Sequence, residues 1–339
     1  MRIAVLGAGA IGAYVGAALA RGGADVHLVA RGANLEAMRR DGVRVLSPRG
    51  DFEANPPATD DPGEIGPVDV VVLGLKAQDY ATAGPLLEPL LGPETAVVAA
   101  QNGIPWWYFH RLAGPYEDRR IEAVDPGGAV SEVIAPERAI GCVVYSSTEL
   151  EAPGVVRHVE GTRFSIGEPD GTVSPRCLAF REAMVAGGLK CPVEADIRND
   201  VWIKLIGNVA FNPISALTRG TMVEICRHPG TRALVVALME ETLEVARRLG
   251  VEPAVTIERR LAGAERVGAH KTSMLQDLEA GKRLELAPIV DAVIELADLT
   301  EADVPSLRAV GAAAGLLDLT EAGATGPLLD ADPAVAEHA

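Results

Sequence analysis

The chain has 339 residues, enough for two domains, and its 48% apolar and 23% charged residues are the composition of an ordinary globular protein. A formal net charge of −16 and a pI of about 4.9 argue against general electrostatic binding to a nucleic-acid backbone or an anionic membrane, without excluding one local basic pocket. Cys142, Cys177, Cys191 and Cys226 lie far apart and form no C-x-x-C, so neither a zinc site nor a disulfide framework is expected, and a reducing cytoplasm is the default location.

The opening "MRIAVLGAGAIGAYVGAALA" loosely mimics a secretory leader, with an early arginine, an apolar run and a small-residue end. Its glycines at 7, 9, 12 and 16 suit a phosphate-binding turn better. Arg21 and Asp25 then interrupt the run, so no membrane span is expected. "RIAVLG" reads as a short apolar strand of the kind buried in a parallel sheet. "AIGAYVGAALARGG" reads as a helix ending at Gly22-Gly23. "ADVHLVAR" is the second strand, "NLEAMRRDG" a short helix stopped by Gly42, and "VRVLSPRGDFEA" a hairpin around Pro48-Arg49-Gly50. "VDVVVLGLKA" and "TAVVAAQNG" are further buried strands, and the β-α-β rhythm implies a doubly wound parallel sheet.

From about residue 121 to 168 the pattern changes to strands without long helices: "AIGCVVYSSTEL", "GVVRHVE" and "RFSIGE". These are expected to extend the same sheet with antiparallel or mixed pairing. Pro169-Asp170-Gly171 marks a turn and a boundary. Beyond about 175 the chain is mostly helical: "TRALVVALMEETLEVARRLG" has helical apolar spacing and a Gly250 stop, and "PIVDAVIELADLT" has Pro288 near its first turn. The expected organisation is α/β, an N-terminal Rossmann-type doubly wound parallel sheet over 1–172 and a C-terminal all-helical domain over 173–318. The unpatterned residues 319–339 form a tail.

"IAVLGAGAIGAYVG" places G-x-G-x-x-G between a strand and a helix. Gly7 permits the tight turn, Gly9 the approach of a pyrophosphate and Gly12 close helix–strand packing. The turn and helix start, Gly7, Ala8, Gly9, Ala10, Ile11 and Gly12, then offer N–H groups to the anion. An NAD-preferring protein places an acid at the end of the second strand, where this chain has Ala30 and Arg31. Arg31 can pair with a 2′-phosphate, which favours NADP over NAD; otherwise it is a solvated strand-end arginine. Lys76 and Asn102 follow two buried strands at their carboxyl ends, where open α/β sheets bind ligands, and each also reads as ordinary turn chemistry.

"DVWIKLIGNVAFN" puts Lys204, Asn208 and Asn212 at i, i+4 and i+8, one polar stripe in apolar surroundings. Such a stripe suits the lining of a wet cleft; the plainer reading of Lys204 is a lysine whose stem packs in the core.

Together "GAGAIG", "LKAQD", "QNG", "PGVVRHVEG", "WIKLIGNVAFNPISALT" and "TSMLQDLEAGKRLE" resemble the ketopantoate reductase (2-dehydropantoate 2-reductase) family over about residues 1 to 315. The resemblance implies hydride transfer from NADPH to the 2-keto carbon of ketopantoate, giving pantoate for coenzyme A synthesis, in a cleft between a Rossmann and a helical domain. It implies Lys204 as proton donor and Glu285 as the acid near cofactor and substrate. It implies Asn208, Asn212 and Ser273 as substrate contacts, Asn102 as the amide touching both, and Gly7 to Gly12 as the phosphate turn. The plainer readings are an exposed helix-start acid for Glu285 and a helix N-cap for Ser273. The partner expected is a small 2-oxo acid, with no nucleic acid, membrane or metal; a homodimer is compatible with the sequence.

The family pattern is broken at Ala287, Asp291, His270 and Met222, and "IPWWYFH" concentrates aromatic residues after the QNG. That cluster reads as a hydrophobic plug between domains or as an apolar wall over the substrate. Two rival functions remain: a reductase of another bulky 2-oxo acid on the same scaffold, and a dinucleotide-binding sensor without turnover. A short-chain dehydrogenase is disfavoured because no Tyr-x-x-x-Lys occurs.

Overall fold

The computed structural model describes residues 1–323, and the chain divides into two units, Met1–Val201 and Trp202–Ala339. The first unit opens with β1 (Arg2–Leu6), α1 (Ala10–Arg21), β2 (Asp25–Val29), α2 (Gly32–Asp41), β3 (Val43–Leu46), β4 (Phe52–Ala54) and β5 (Ala58–Thr59). It continues through β6 (Val68–Leu73), α3 (Gly84–Leu87), β7 (Leu91–Ala99), α4 (Ala129–Val133) and β8 (Ala139–Val144). It closes with β9 (Ser147–Ala152), β10 (Val155–Glu160), β11 (Phe164–Gly167) and α5 (Pro175–Ala186).

The main sheet runs β11-β8-β7-β6-β1-β2-β5, parallel throughout except that β11 is antiparallel to β8. Its central strands are apolar runs because both faces are covered; Ile3, Val5, Val70, Val72, Val98 and Ile140 are fully buried. The chain leaves β1 toward β2 and returns to β6 on the other side. The strand order therefore reverses between β1 and β6, and such a crevice is where these sheets take ligands.

A second sheet, β4-β3-β10-β9, contains the strands expected to lengthen the first. "AIGCVVYSSTEL" is two strands: β8 joins the main sheet, whereas β9 pairs with β10, which runs parallel to β3. The physical reason lies in α1. Every residue from Gly12 to Leu19 is buried, so this helix needs cover on all sides. The main sheet supplies one side, and the sheet formed by β3, β4, β9 and β10 supplies another. The exposed Glu149 and Glu151 of β9 suit an outer layer and not the middle of a two-faced sheet.

Helix α5, expected in the helical domain, belongs to the first unit. Its Cys177, Phe180 and Met184 join the core of that unit, and Arg21 Nη2 of α1 donates to Gly187 O beyond its end at 2.8 Å. Buried Glu168 anchors its start: Arg176 donates to it through Nε (2.8 Å) and Nη2 (2.6 Å), and the Ser174 cap hydroxyl donates to the same carboxylate. The Pro169-Asp170-Gly171 turn forms, with Gly171 N donating to Glu168 O, but the contact boundary falls later, after Val201.

That boundary lies inside α6 (Ile197–Thr218). The second unit adds α7 (Met222–Arg227), α8 (Pro229–Arg248), α9 (Ile257–Val267), α10 (Ser273–Glu279), α11 (Ala292–Thr300) and α12 (Pro305–Glu321). A π-helical turn, Ala287–Asp291, leads into α11. Helix α8 is the hub, packed by α7, α11 and α12, with Val235, Leu238 and Met239 fully buried. Of the expected tail, 319–339, the first residues complete α12, and residues 324–339 lie outside the described residues.

Candidate active site

In the first unit, the turn after β1 has the geometry that a dinucleotide needs. Gly7 takes φ +93°, and its N–H and that of Ala8 both donate to Val29 O at the end of β2 (3.1 Å each). A Cβ on Gly12 would collide with the Gly7 carbonyl, so only glycine lets α1 start this close to β1. In front of Gly9 the space is open: a Cβ there would meet nothing within 4 Å. Gly9 is the N-cap of α1 and has no side chain to cap with, and the first α1 bond is Ala13 N to Gly9 O (2.8 Å). The N–H groups of Ala10, Ile11 and Gly12 therefore precede the first intrahelical bond and suit an anion.

Three other residues expected in the cofactor site stand at the same carboxyl edge of the sheet. Arg31 is exposed, one residue past the buried Ala30, at the N-cap of α2. Half-buried Lys76 follows β6, and half-buried Asn102 follows β7. Asn34 was not singled out from sequence. Its Nδ2 donates to Ala8 O (2.6 Å) and its Oδ1 accepts from Gly154 N (2.8 Å), tying the phosphate turn to the β9–β10 connection. An asparagine three residues past a strand-end arginine carries no sequence signal of its own.

The aromatic segment is internal to the first unit. Trp106, Trp107, Tyr108 and Phe109 are each at most 4% exposed, and Trp106 Nε1 donates to Ile134 O (3.0 Å). Buried Arg198 stiffens the segment by donating to Tyr108 O (2.6 Å), His110 O (2.7 Å) and Pro169 O. Burial pulls the Arg198 pKa down from its usual value. These rings are core residues of the sheet unit.

In the second unit, burial along α6 separates Lys204 and Asn208 from Asn212, the third residue of the expected stripe. Leu205, Ile206, Val209, Ala210 and Phe211 are buried, while Lys204, Gly207 and Asn208 are half-buried and share one helix face. Asn212, two turns beyond Lys204, is 4% exposed, and its Nδ2 finds no acceptor among the described residues. An unmet buried donor is costly, so an incoming acceptor is favoured there. Beside Gly207 stands Arg260, from the first turn of α9: a Cβ on Gly207 would lie 4.0 Å from Arg260 Nη1.

Ser273 is exposed and is the first residue of α10, whose cap is Thr272, accepting from Leu275 N at 3.2 Å. The N-cap explanation for Ser273 therefore falls away. Glu285 is half-buried just before the π-helical turn. Buried Asp318 fixes the approach to it, accepting from Arg283 Nε (2.7 Å) and Leu284 N (2.8 Å). Asp291 ends the turn and is exposed as a residue, while the packing around its carboxyl desolvates it and raises it above the ordinary value of 3.8. Met222 N donates to His270 O (3.0 Å), so two of the four positions that break the family pattern are neighbours. Among the described residues, no group of three His, Cys, Asp or Glu could hold a metal ion, and no helix is long and apolar enough to cross a membrane.

Two family descriptions match the chain: "Ketopantoate reductase PanE/ApbA" over residues 3–171, and its C-terminal part over residues 196–317. The chain belongs to the ketopantoate reductase family. A 2-dehydropantoate 2-reductase of Mesorhizobium japonicum is 49% identical over 311 residues, 91% of this chain and 95% of that protein. One of Halobacterium salinarum is 31% identical over 314 residues, 91% of this chain and 96% of its own length. The crystal structure of 2-dehydropantoate 2-reductase from Geobacter metallireducens is similar at a TM-score of 0.82 and 28% identity, covering 93% of this chain and 99% of that one. The Rossmann-type sheet and helical second unit described above are the fold of these neighbours. Ketopantoate reductases are pyridine-nucleotide-dependent enzymes, which agrees with the turn at Gly7 to Gly12.

Proposed function

We propose that this chain reduces 2-dehydropantoate to pantoate with NADPH, the sheet unit holding the dinucleotide and the helical unit the 2-oxo acid. The observation that carries the reading is the half-buried strip of Lys204, Gly207 and Asn208, with Ile203 beside it, between the buried Leu205, Ile206, Val209 and Ala210 of α6. A stem packed in the core would leave no reason for Gly207 and Asn208 to be accessible beside it.

Gly7, Ala8, Gly9, Ala10, Ile11 and Gly12 hold the pyrophosphate through backbone N–H groups. Arg31 pairs with the 2′-phosphate, and an acid at this strand end would repel it. Lys76 and Asn102 contact the nicotinamide half. When bound, the cofactor supplies the hydride to the 2-keto carbon. The carbonyl oxygen then needs a cation and a proton, and Lys204 supplies both. Asn208, Asn212 and Ser273 orient the substrate, with Asn212 Nδ2 offering a donor that the protein leaves unmet. Glu285 holds the ammonium and accepts a substrate hydroxyl. A reducing cytoplasm suits four buried cysteines that form no disulfide.

The test is Lys204→Ala with a panel of 2-oxo acids. The expected result is a fall in kcat of about 10²- to 10⁴-fold with NADPH binding intact, and 2-dehydropantoate leading the panel by kcat/KM. Unchanged turnover would remove Lys204 from the chemistry. Another acid leading the panel would replace the substrate and keep the reaction.

A further inference from the structure

We infer that Arg260 binds the carboxylate of the 2-oxo acid, and that Gly207 is the gap through which it does so; the inference rests on the reductase reading above. A 2-oxo acid presents two electron-rich groups side by side. The carbonyl oxygen must receive a proton, and the carboxylate must be neutralised and held. One ammonium serves both poorly, because a lysine that has given up its proton no longer balances the carboxylate. A guanidinium keeps its charge throughout and grips a carboxylate with two parallel N–H bonds.

The geometry provides this second cation on the right face. Lys204, Gly207 and Asn208 are neighbours on α6 at i, i+3 and i+4. Apart from its chain neighbours Ile206 and Asn208 and the nearby backbone of its own helix, only Arg260 Nη1 among the described heavy atoms comes within 4.0 Å of where a Gly207 side chain would begin. The helix surface between the proposed proton donor and Asn208 is thus bare, with a guanidinium at its edge. A larger residue at 207 would fill the space that a carboxylate needs.

Arg260 is also well positioned. It sits in the first turn of α9, where Thr256 caps the helix through Arg259 N (3.2 Å) and accepts Arg260 N on its carbonyl (3.1 Å). Helix α9 is fixed to the rest of the unit by its packing against α7 and α8 and by the Arg232–Glu265 ion pair (2.6 Å). The guanidinium is therefore presented from a rigid element, and its half-buried setting shields it from water.

The experiment compares 2-dehydropantoate with its uncharged primary amide, using wild type, Arg260→Gln, Arg260→Lys and Gly207→Val. Wild type should prefer the acid strongly by kcat/KM. Arg260→Gln should lose about 10- to 100-fold on the acid, mostly through KM, and little on the amide, so that the preference collapses while NADPH affinity is unchanged. Arg260→Lys should recover part of the preference, since charge returns without the fork. Gly207→Val, at a position with open space beside it, should lower the preference in the same direction and covers the case in which Arg260→Gln fails to fold. An acid preference kept at the wild-type level by Arg260→Gln, or by Gly207→Val where Arg260→Gln fails to fold, overturns the inference. A purely structural Arg260 would lower Tm and leave the acid-to-amide ratio alone. Wild type that oxidises NADPH with no 2-oxo acid sinks the reductase reading itself, and this inference with it.

Discussion

Gly9 and Gly12 stand three residues apart and answer to different demands. A methyl group on Gly12 would run into the Gly7 carbonyl, which is fixed backbone, whereas one on Gly9 would enter open space. Gly12→Ala should therefore lower Tm as well as dinucleotide affinity. Gly9→Ala should leave Tm within about 1 °C and weaken NADPH binding tenfold or more, because only the ligand occupies that space. Calorimetric melting beside fluorescence titration separates the two. A Gly9→Ala protein that binds as wild type would show that the pyrophosphate does not approach this turn. Arg31 is a test of a different kind, since its residue is exposed. Arg31→Ala should raise the Kd of NADPH far more than that of NADH. Equal losses would mean that the side chain does not read the 2′-phosphate.

The element before α11 sets a carboxyl in a packed turn. A π-helical turn carries Pro288 and ends at Asp291, whose carboxyl is raised by burial. An acid whose pKa is higher in the folded state binds more protons there than when unfolded. It stabilises fully below the unfolded value and loses that contribution as pH rises through the folded one. At neutral pH the charged Asp291 is therefore a burden. Asp291→Asn should raise Tm at pH 7 and give no gain near pH 3, where both states are protonated; thermal melts across pH 3 to 8 check it. Elements of this kind were only partly legible beforehand. Helix and strand identities followed from periodicity and from glycine and proline punctuation, which are local. The partner of a strand is not local: nothing in "ELEAPGVVRHVE" states that β10 will lie beside β3. The charges on β9 did signal an outer layer, since Glu149 and Glu151 cannot sit in a sheet covered on both faces. Helix α5 falls within the range 173–318 read as the helical domain for the same reason, because helical sequence says that a segment packs and not against what. In the site, the Lys204 stripe was readable from one helix. Arg260 was not, because α6 and α9 meet only through tertiary packing across some fifty residues.

At the level of the whole molecule, the chain keeps its four thiols out of reach. Cys142, Cys177, Cys191 and Cys226 are all buried, and burial pushes Cys177 up to about 11 and Cys191 higher still. Thiolate is the reactive form, so the native protein should resist iodoacetamide at pH 8 and take up four labels after unfolding in guanidinium, as counted by intact mass. Rapid native labelling would mean that one of the cores opens readily. The tie between Asn34 and Gly154 bears on redesign of the molecule. The tip of the β9–β10 hairpin, Pro153-Gly154, is the sort of short surface connection at which an engineer would splice in a peptide tag or new chain ends. Here the Gly154 amide anchors the asparagine that grips Ala8, and its carbonyl accepts from Arg44 N at 2.9 Å. A splice at that bend would slacken the nucleotide cradle from behind, at a distance along the chain of more than a hundred residues.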